Sequence, residues 1–448
     1  MRSLLPGPTT PEFIWRLQGI FTPLELLDSW HQQYGDTFRL PYAEADVICV
    51  ASPSGLQSVF TAPPEILQSN QKGSVFELVL GEQAMVFLEG AQHQRHRRLL
   101  APPFHGESLL YWGSEVCRIA QQVIRQLQPG SSFVVRPLMK TIALQVILRV
   151  VFGLSQGSRF DRLYGLLNEL FQGLNSPLSA AVLVFPFLRV DLGPLSPWGQ
   201  FIRQRQEINQ LITAEICERQ KLGRVGVQND LLALLLQTRD ETGQSLSETE
   251  IRDELLMLVF AGYETTTSAI VWALYWMCAL PQIRNRIEGE LREAPDATDP
   301  IAISQLPYLN AVCQEVLRIY PVAIGAFARR VKEPFEIDGY RLSVDTIISP
   351  SIYLAHRRLS VYPNPLRFQP ERFLERTFSP YEYLPFGGGN RRCLGGAFAM
   401  FEIKMILITF IKQVQLALVD SAPINPIRYG ITMAPPTNLQ MRVIKASS

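Results

Sequence analysis

The segment Phe386-Gly387-Gly388-Gly389-Asn390-Arg391-Arg392-Cys393-Leu394-Gly395 holds the residues best suited to chemistry. Three consecutive glycines permit a tight bend and a close approach to a flat ligand. Two arginines precede the cysteine, and a helical pattern starts just after it. Positive charge and helix N-terminal amides both favour thiolate over thiol. A thiolate so placed can ligate iron, and Arg391 can pair with a carboxylate of the bound group. A glycine-rich turn around a buried cysteine is the plain alternative. A phosphate cradle before a helix is another, but no Lys-Ser/Thr follows and no strand-like run precedes the glycines. The local chemistry leaves haem iron and the plain turn open.

Three further groups draw attention. Ala261-Gly262-Tyr263-Glu264-Thr265-Thr266 interrupts the longest apolar helical pattern. Glycine, an acid and hydroxyls are poor mid-helix choices for packing alone. The plain reading is a polar face, or threonines bonded to carbonyls one turn back; the apolar flanks Leu255–Phe260 and Ala269–Trp276 weaken it. Glu315-Val316-Leu317-Arg318 places an acid and a base three apart, which on an exposed helix is worth a few tenths of a kcal/mol, about 0.3. His93-Gln94-Arg95-His96-Arg97-Arg98 is a basic cluster on a short helical pattern. Its two histidines resemble metal ligands in spacing, but no matching acid or third ligand lies nearby in sequence.

The elements that must hold these groups are mostly helical. Patterns cover about Gln92–Ala101, Glu107–Leu127, Leu138–Phe152, Arg159–Leu174, Trp198–Lys221 and Asp230–Gln237. Ser247, with Glu250 three residues on, predicts a capping box opening the longest helix, which runs to Leu280 before Pro281. Helices follow to about Glu293, from Pro307 to Ile319, and from Gly395 to Val414. Thr37–Tyr42 and Asp46–Ala51 read as strands joined at residues 43–45. Phe335–Ile337 and Tyr340–Leu342 form a hairpin around Asp338-Gly339. Ser360–Phe386 is rich in proline and aromatics, a folded irregular segment, and the tail reads as short strands. With no repeat or linker, 448 residues are expected to form one domain, 1–448. Hydrophobic residues make up 47% and net charge is +1, so no bulk charge favours nucleic acid. Six unpaired cysteines without C-x-x-C predict reduced thiols and a cytoplasmic setting. The apolar run at 255–280, broken by Glu264 and threonines, predicts a buried core helix and no transmembrane anchor. Contact with a membrane surface through the N-terminal prolines or an apolar loop stays open.

At the cysteine segment the chain resembles the cytochrome P450 superfamily, whose haem-binding loop reads F-G-x-G-x-R-x-C-x-G. Phe386, Gly387, Gly389, Arg391, Cys393 and Gly395 fill its fixed positions. The resemblance runs from Pro6-Gly7-Pro8 to the C-terminal strands. It implies a mainly α, triangular helical domain with small β sheets. Haem b would lie between the long central helix and the cysteine-loop helix, with Cys393 as axial ligand. Glu264 and Thr265 match the acid–alcohol pair that delivers protons to bound dioxygen, and Gly262 would let the helix open locally. Glu315 and Arg318, with Arg372 of Phe368-Gln-Pro-Glu-Arg-Phe373, match a buried network supporting the cysteine loop. His93, Arg97 and Arg391 match propionate contacts. So does Arg329, although Arg330 beside it leaves the register open by one.

The resemblance implies a monooxygenase that uses O2 and takes electrons from a separate donor, a ferredoxin with its reductase, and acts as a monomer. Arg391, Arg392 and Lys404 are expected to form a basic docking face. Phe76, Val79, Val86, Phe260, Ala261, Val322, Ile324, Phe327 and Met433 are candidates for an apolar substrate pocket, each also explicable as core. Arg97–Gly106 and Val146–Gly153 look like the cyanobacterial group that oxidises long-chain fatty acids and terpenoids. The rival readings are a haem-thiolate isomerase or peroxygenase, against which Glu264 and Thr265 count, and a non-catalytic haem sensor.

Overall fold

The computed structural model describes residues 5–446 apart from 12–13, 16–17, 20–21, 43–44, 70–75, 105–106, 174–185, 222–229 and 431. The expected turn at 43–45 and the end of the Arg97–Gly106 stretch lie largely outside the described residues.

The longest helix, Glu248–Ala279, runs through the middle of the fold. Ser247 accepts from the Glu250 amide while the Glu250 carboxylate accepts from the Ser247 amide, so the expected capping box is present. This helix is long and apolar enough to span a membrane, but 72% of its most apolar window is buried within the protein. It packs against the helices Val135–Phe152, Gly396–Gln413 and Pro307–Ile319. At Gly262 a β-carbon would stand 2.8 Å from the Ile147 side chain of the first of these. The helix is unbroken there, so this glycine admits a neighbouring helix rather than opening the backbone.

A five-stranded sheet flanks the helices in the order Thr37–Leu40, Val47–Val50, Ile347–Pro350, Arg329–Val331, Leu67–Ser69. Val47–Val50 pairs in parallel with Ile347–Pro350, and the other pairings are antiparallel. The hairpin Phe335–Ile337/Tyr340–Leu342 turns at Asp338 (φ 46°) and Gly339 (φ 81°), both left-handed, as a tight two-residue turn requires. The Asp338 carboxylate accepts from Thr37 (2.5 Å), Ser52 (2.6 Å) and Ser54 (2.9 Å), pinning the hairpin to residues almost 300 positions earlier. The tail supplies Val414–Leu418 and Gln440–Ala446; the latter pairs with the former on one side and with Ser132–Val134 on the other, in a separate sheet.

The main core extends from Val79 to Val443, and two smaller cores lie around the five-stranded sheet. The irregular segment packs through its rings: Tyr362 on Phe378, Phe373 on Phe378 and Tyr383, Tyr383 on His356.

Candidate active site

The cysteine loop is set by two short-range devices. Gly387 (φ 67°) and Gly389 (φ 65°) are left-handed, and the Cys393 amide donates to the Phe386 carbonyl at 2.9 Å, closing the loop. The close approach that Gly388 and Gly389 permit is to protein. A β-carbon on Gly389 would lie 2.5 Å from the Phe60 carbonyl, and one on Gly388 2.5 Å from the Phe60 ring. Gly388 and Gly389 therefore seat the loop on the helix Pro53–Thr61, while a β-carbon on Gly387 would meet only Ala326, at 3.5 Å. The Phe386 ring lies under the start of the cysteine-loop helix, beside Gly396.

All six cysteines are free, and only Cys393 is exposed. The thiol is accessible, yet protein surrounds it closely enough that burial dominates its titration, so it faces a recess rather than open solvent. Burial pushes the thiol up, against a pull from the Gly395 N–H and the charges of Arg97 and Arg392. The amide and the charges pull toward thiolate, as expected, and desolvation opposes them more strongly. Burial pushes Cys49, Cys278 and Cys313 further, to about 12, as expected for inert core thiols.

Beside the loop, four basic groups converge from three elements. His93 and Arg97 lie one turn apart on the helix Gly90–Leu100. Arg391 comes from the loop, and Arg329 from the edge of its strand. The strand alternates: Arg329 is buried near Arg391, whereas Arg330 lies on the other face, 3.5 Å from Asp345. Burial and the charges of Arg391, Arg97 and Arg329 press His93 down to about 3. Burial and Arg391 press Arg329 down to about 10. Arg391 pairs with Glu89 at 3.0 Å and donates to the carbonyls of Met85 and Leu88, and Arg97 donates to the Arg392 carbonyl at 2.8 Å. Three guanidiniums and an imidazole thus share one carboxylate among the ion pairs of the described residues. A dianionic group bound there would relieve their mutual repulsion. A soft sulfur donor beside a cationic pocket is the donor set that haem, with iron and two propionates, requires. No cluster of three or more ligands for a bare metal ion occurs among the described residues.

On the central helix Glu264 and Thr265 are partly exposed and Ala261 is exposed, although most of the helix is buried. Thr265 donates to the Ala261 carbonyl at 2.5 Å, one turn back, and Thr267 to that of Tyr263 at 2.7 Å. Glu264 is ion-paired with Arg136 and, at 3.2 Å, with Lys140, both from the helix Val135–Phe152. Tyr429 completes the group: its ring lies 4.1 Å from the Arg136 guanidinium, and its hydroxyl accepts from Lys140 at 3.1 Å. Burial and the Arg136 charge bring Lys140 down to about 8. The sequence reading missed Arg136, Lys140 and Tyr429. Their only local signal is a basic pair at the start of an otherwise apolar helix.

The pocket candidates divide. Phe327 is 41% exposed, Ala261 is exposed, and Phe76, Val86, Phe260, Val322 and Ile324 are half-buried. Phe76 and Phe260 are in ring contact at 5.8 Å. Val79 is buried in the main core, and Met433 in the core beside the five-stranded sheet.

Glu315, Arg318 and Arg372 are buried together, as expected. Arg318 grips Glu315 through Nε (2.6 Å) and Nη2 (2.9 Å), while Arg372 Nε (3.2 Å) and the Gln369 amide (2.9 Å) reach the same carboxylate. The network reaches the cysteine loop. Arg318 donates to the His356 carbonyl, the His356 ring accepts from the Leu384 amide, and the Leu384 carbonyl accepts from Gly387, each at 2.9 Å. The expected docking face does not form as a cluster. Lys404 is buried with its ammonium on the Ser304 carbonyl, Arg391 is buried, and only Arg392 is exposed.

The family model described as Cytochrome P450 matches residues 5–442. Cytochrome P450 135B1 of Mycobacterium tuberculosis, a name that carries only a family designation, is 31% identical over 442 residues, spanning 98% of this chain and 91% of that protein. Cytochrome P450 138 of Mycobacterium bovis is 31% identical over 440 residues, spanning 96% and 94%. A retinoic acid-bound cyanobacterial CYP120A1 structure superposes with a TM-score of 0.84 at 25% identity, covering 99% of each chain. The haem domain of cytochrome P450DA superposes with a TM-score of 0.85 at 20% identity, covering 100% of this chain and 99% of that one, a likeness of fold. These relatives are mycobacterial as well as cyanobacterial, so the likeness carries the superfamily and not the cyanobacterial branch.

Proposed function

This chain belongs to the cytochrome P450 family, and from that premise we propose that it inserts one oxygen atom of O2 into an apolar terpenoid or fatty acid. The family binds haem, iron protoporphyrin IX, and is a family of monooxygenases. When bound, haem supplies the activation of O2. Cys393 would hold the iron, and His93, Arg97, Arg329 and Arg391 the propionates.

The observation that carries the reading is the partly exposed acid–alcohol pair on an otherwise buried helix. Thr265 presents a hydroxyl that donates to Ala261 O and keeps its own lone pairs for an incoming proton donor. Glu264, held by Arg136 and Lys140, is the acid beside it and hands protons inward. An isomerase or a peroxide-using enzyme has no need of this pair. Phe76 and Phe260 in ring contact, with Val86 and Val322 half-buried and Phe327 exposed, offer apolar surface that suits an apolar ligand. The retinoic acid named with the CYP120A1 structure is of that chemistry. Two electrons per turnover come from a separate ferredoxin with its reductase.

The test is a titration of the haem-loaded protein with fatty acids, sesquiterpenes, retinoids and steroids, read by the Soret shift and followed by product analysis under O2. Saturable shifts with retinoids, sesquiterpenes or fatty acids, and oxygenated product, are expected. Shifts with steroids alone, or binding without O2-dependent product, would refute the assignment.

A further inference from the structure

His96 lies one turn from His93 and next to Arg97 in sequence, but its ring is held by the central helix. It is buried, and both ring nitrogens meet carboxylates of the central helix: Nδ1 to Glu254 Oε1 at 2.7 Å, Nε2 to Glu250 Oε1 at 3.1 Å. A neutral imidazole has one N–H and can donate to only one of them. Two carboxylates on two nitrogens is the geometry of an imidazolium, which donates from both.

Glu254 does more than hold the ring. It is fully buried, and its Oε1 also accepts from the Met85 amide at 2.7 Å, while its Oε2 has no hydrogen-bond partner among the described residues. Asp253 beside it accepts from the Gln83 amide at 3.3 Å. Gly81 (φ 98°) packs so tightly on Asp253 that a β-carbon there would collide with the carboxylate at 2.1 Å. The loop 81–89 is therefore tied to the central helix at one end. At the other end Arg391 holds it through the carbonyls of Met85 and Leu88 and through Glu89.

We propose that His96 is a positioning residue whose imidazolium straps the basic helix and the loop 81–89 to the central helix, fixing where His93, Arg97 and Arg391 stand. The strap itself is independent of the reaction assigned above; its bearing on haem rests on that assignment.

The charges around the ring are unequal in sign. The central helix contributes Glu250, Asp253, Glu254 and Arg252, the last paired with Asp253. The basic helix contributes Arg95, which reaches both Asp240 and Glu250, and more distantly His93 and Arg97. Arg205, from the helix Pro197–Lys221, lies near Asp253. Burial opposes protonation of His96, but the hydrogen bonds and charges of Glu254 and Glu250 prevail and raise it. Burial brings Glu254 up to about 7. His96 and Glu254 hold protons to higher pH in the folded chain than in the unfolded one, whereas Glu250 is held below its ordinary value, so folding keeps a proton on the His96–Glu254 pair that is given up as pH rises. Once His96 is neutral, one N–H must serve two carboxylates, and buried Glu254 faces Asp253 and Glu250 without a cation. The strap should loosen as pH rises through the raised folded-state value of His96.

The test uses the full-length haem-loaded protein between pH 6 and 9. Hydrogen exchange of peptides covering 81–100, corrected for intrinsic exchange, is followed together with the Soret band. Wild type should lose protection there, by roughly tenfold, with a midpoint above that of a free imidazole, and the Soret band should change over the same range. Glu250→Gln removes one carboxylate from Nε2 and should move the midpoint about one unit toward acid. His96→Gln should abolish the midpoint or displace it further. Protection independent of pH in wild type, or an unmoved midpoint in Glu250→Gln, would overturn the proposal. The Glu250 variant alters a partly exposed side chain and remains informative if His96→Gln does not fold.

Discussion

Glu315→Gln should destabilise the protein more than any surface substitution can. The Glu315 carboxylate accepts from four donors, Arg318 Nε and Nη2, Arg372 Nε and the Gln369 amide, and is 0% exposed. Glutamine keeps one acceptor oxygen and turns an NH2 toward two buried guanidiniums that then lack a counter-charge. Breaking a buried pair in this way costs about 3–5 kcal/mol, against a total stability of about 5–15 kcal/mol. Urea unfolding of the haem-loaded protein reads this directly. With a slope at or above about 3 kcal/mol/M for a chain of this size, the midpoint should fall by about 1 M with the slope unchanged. The damage should not stay local, because Arg318 and His356 lead to Leu384 and Gly387. The variant should also retain less haem, and less of it with the thiolate signature in the reduced carbon monoxide spectrum. A midpoint within about 0.2 M of wild type would refute the argument that this network supports the cysteine loop.

Thr265→Ala should keep substrate binding, by Soret shift, but release hydrogen peroxide in place of much of the product; full coupling of oxygen uptake to product would count against the relay. Asp338→Ala removes the acceptor of three hydroxyls and places alanine at φ 46°. It should lower stability by about 2–3 kcal/mol by denaturant titration without moving the Soret band. Arg392→Glu should slow reduction by an acidic ferredoxin while leaving the haem spectrum unchanged; unaltered reduction rates would exclude Arg392 from the docking face.

Features that rest on neighbours in sequence were legible before the structure. The capping box at Ser247 and Glu250, the Asp338-Gly339 turn and the Glu315–Arg318 spacing each carry their own geometry within four residues. The five-stranded sheet was half hidden. Leu67–Ser69 and Arg329–Val331 are three residues long, too short for alternation to show, and they pair across some 260 positions. The helices Pro23–Tyr34 and Pro53–Thr61 begin at prolines that also read as turn signals. At the site, the residue types pointed to Cys393, Glu264 and Thr265, but not to what holds them. Arg136 and Lys140 reach Glu264 from more than 120 residues away, and Glu254 reaches His96 across 158. The acid that seemed absent near the two histidines comes from another helix. What Gly388 and Gly389 pack against was hidden for a related reason: Phe60 lies more than 300 residues earlier.

The central claim is that Cys393 is the axial ligand of a haem iron. Iron X-ray absorption on the haem-loaded protein tests it most directly. A sulfur scatterer in the first shell of wild type, absent in Cys393→Ser, is the predicted result. A first shell of nitrogen and oxygen alone in wild type would contradict the account.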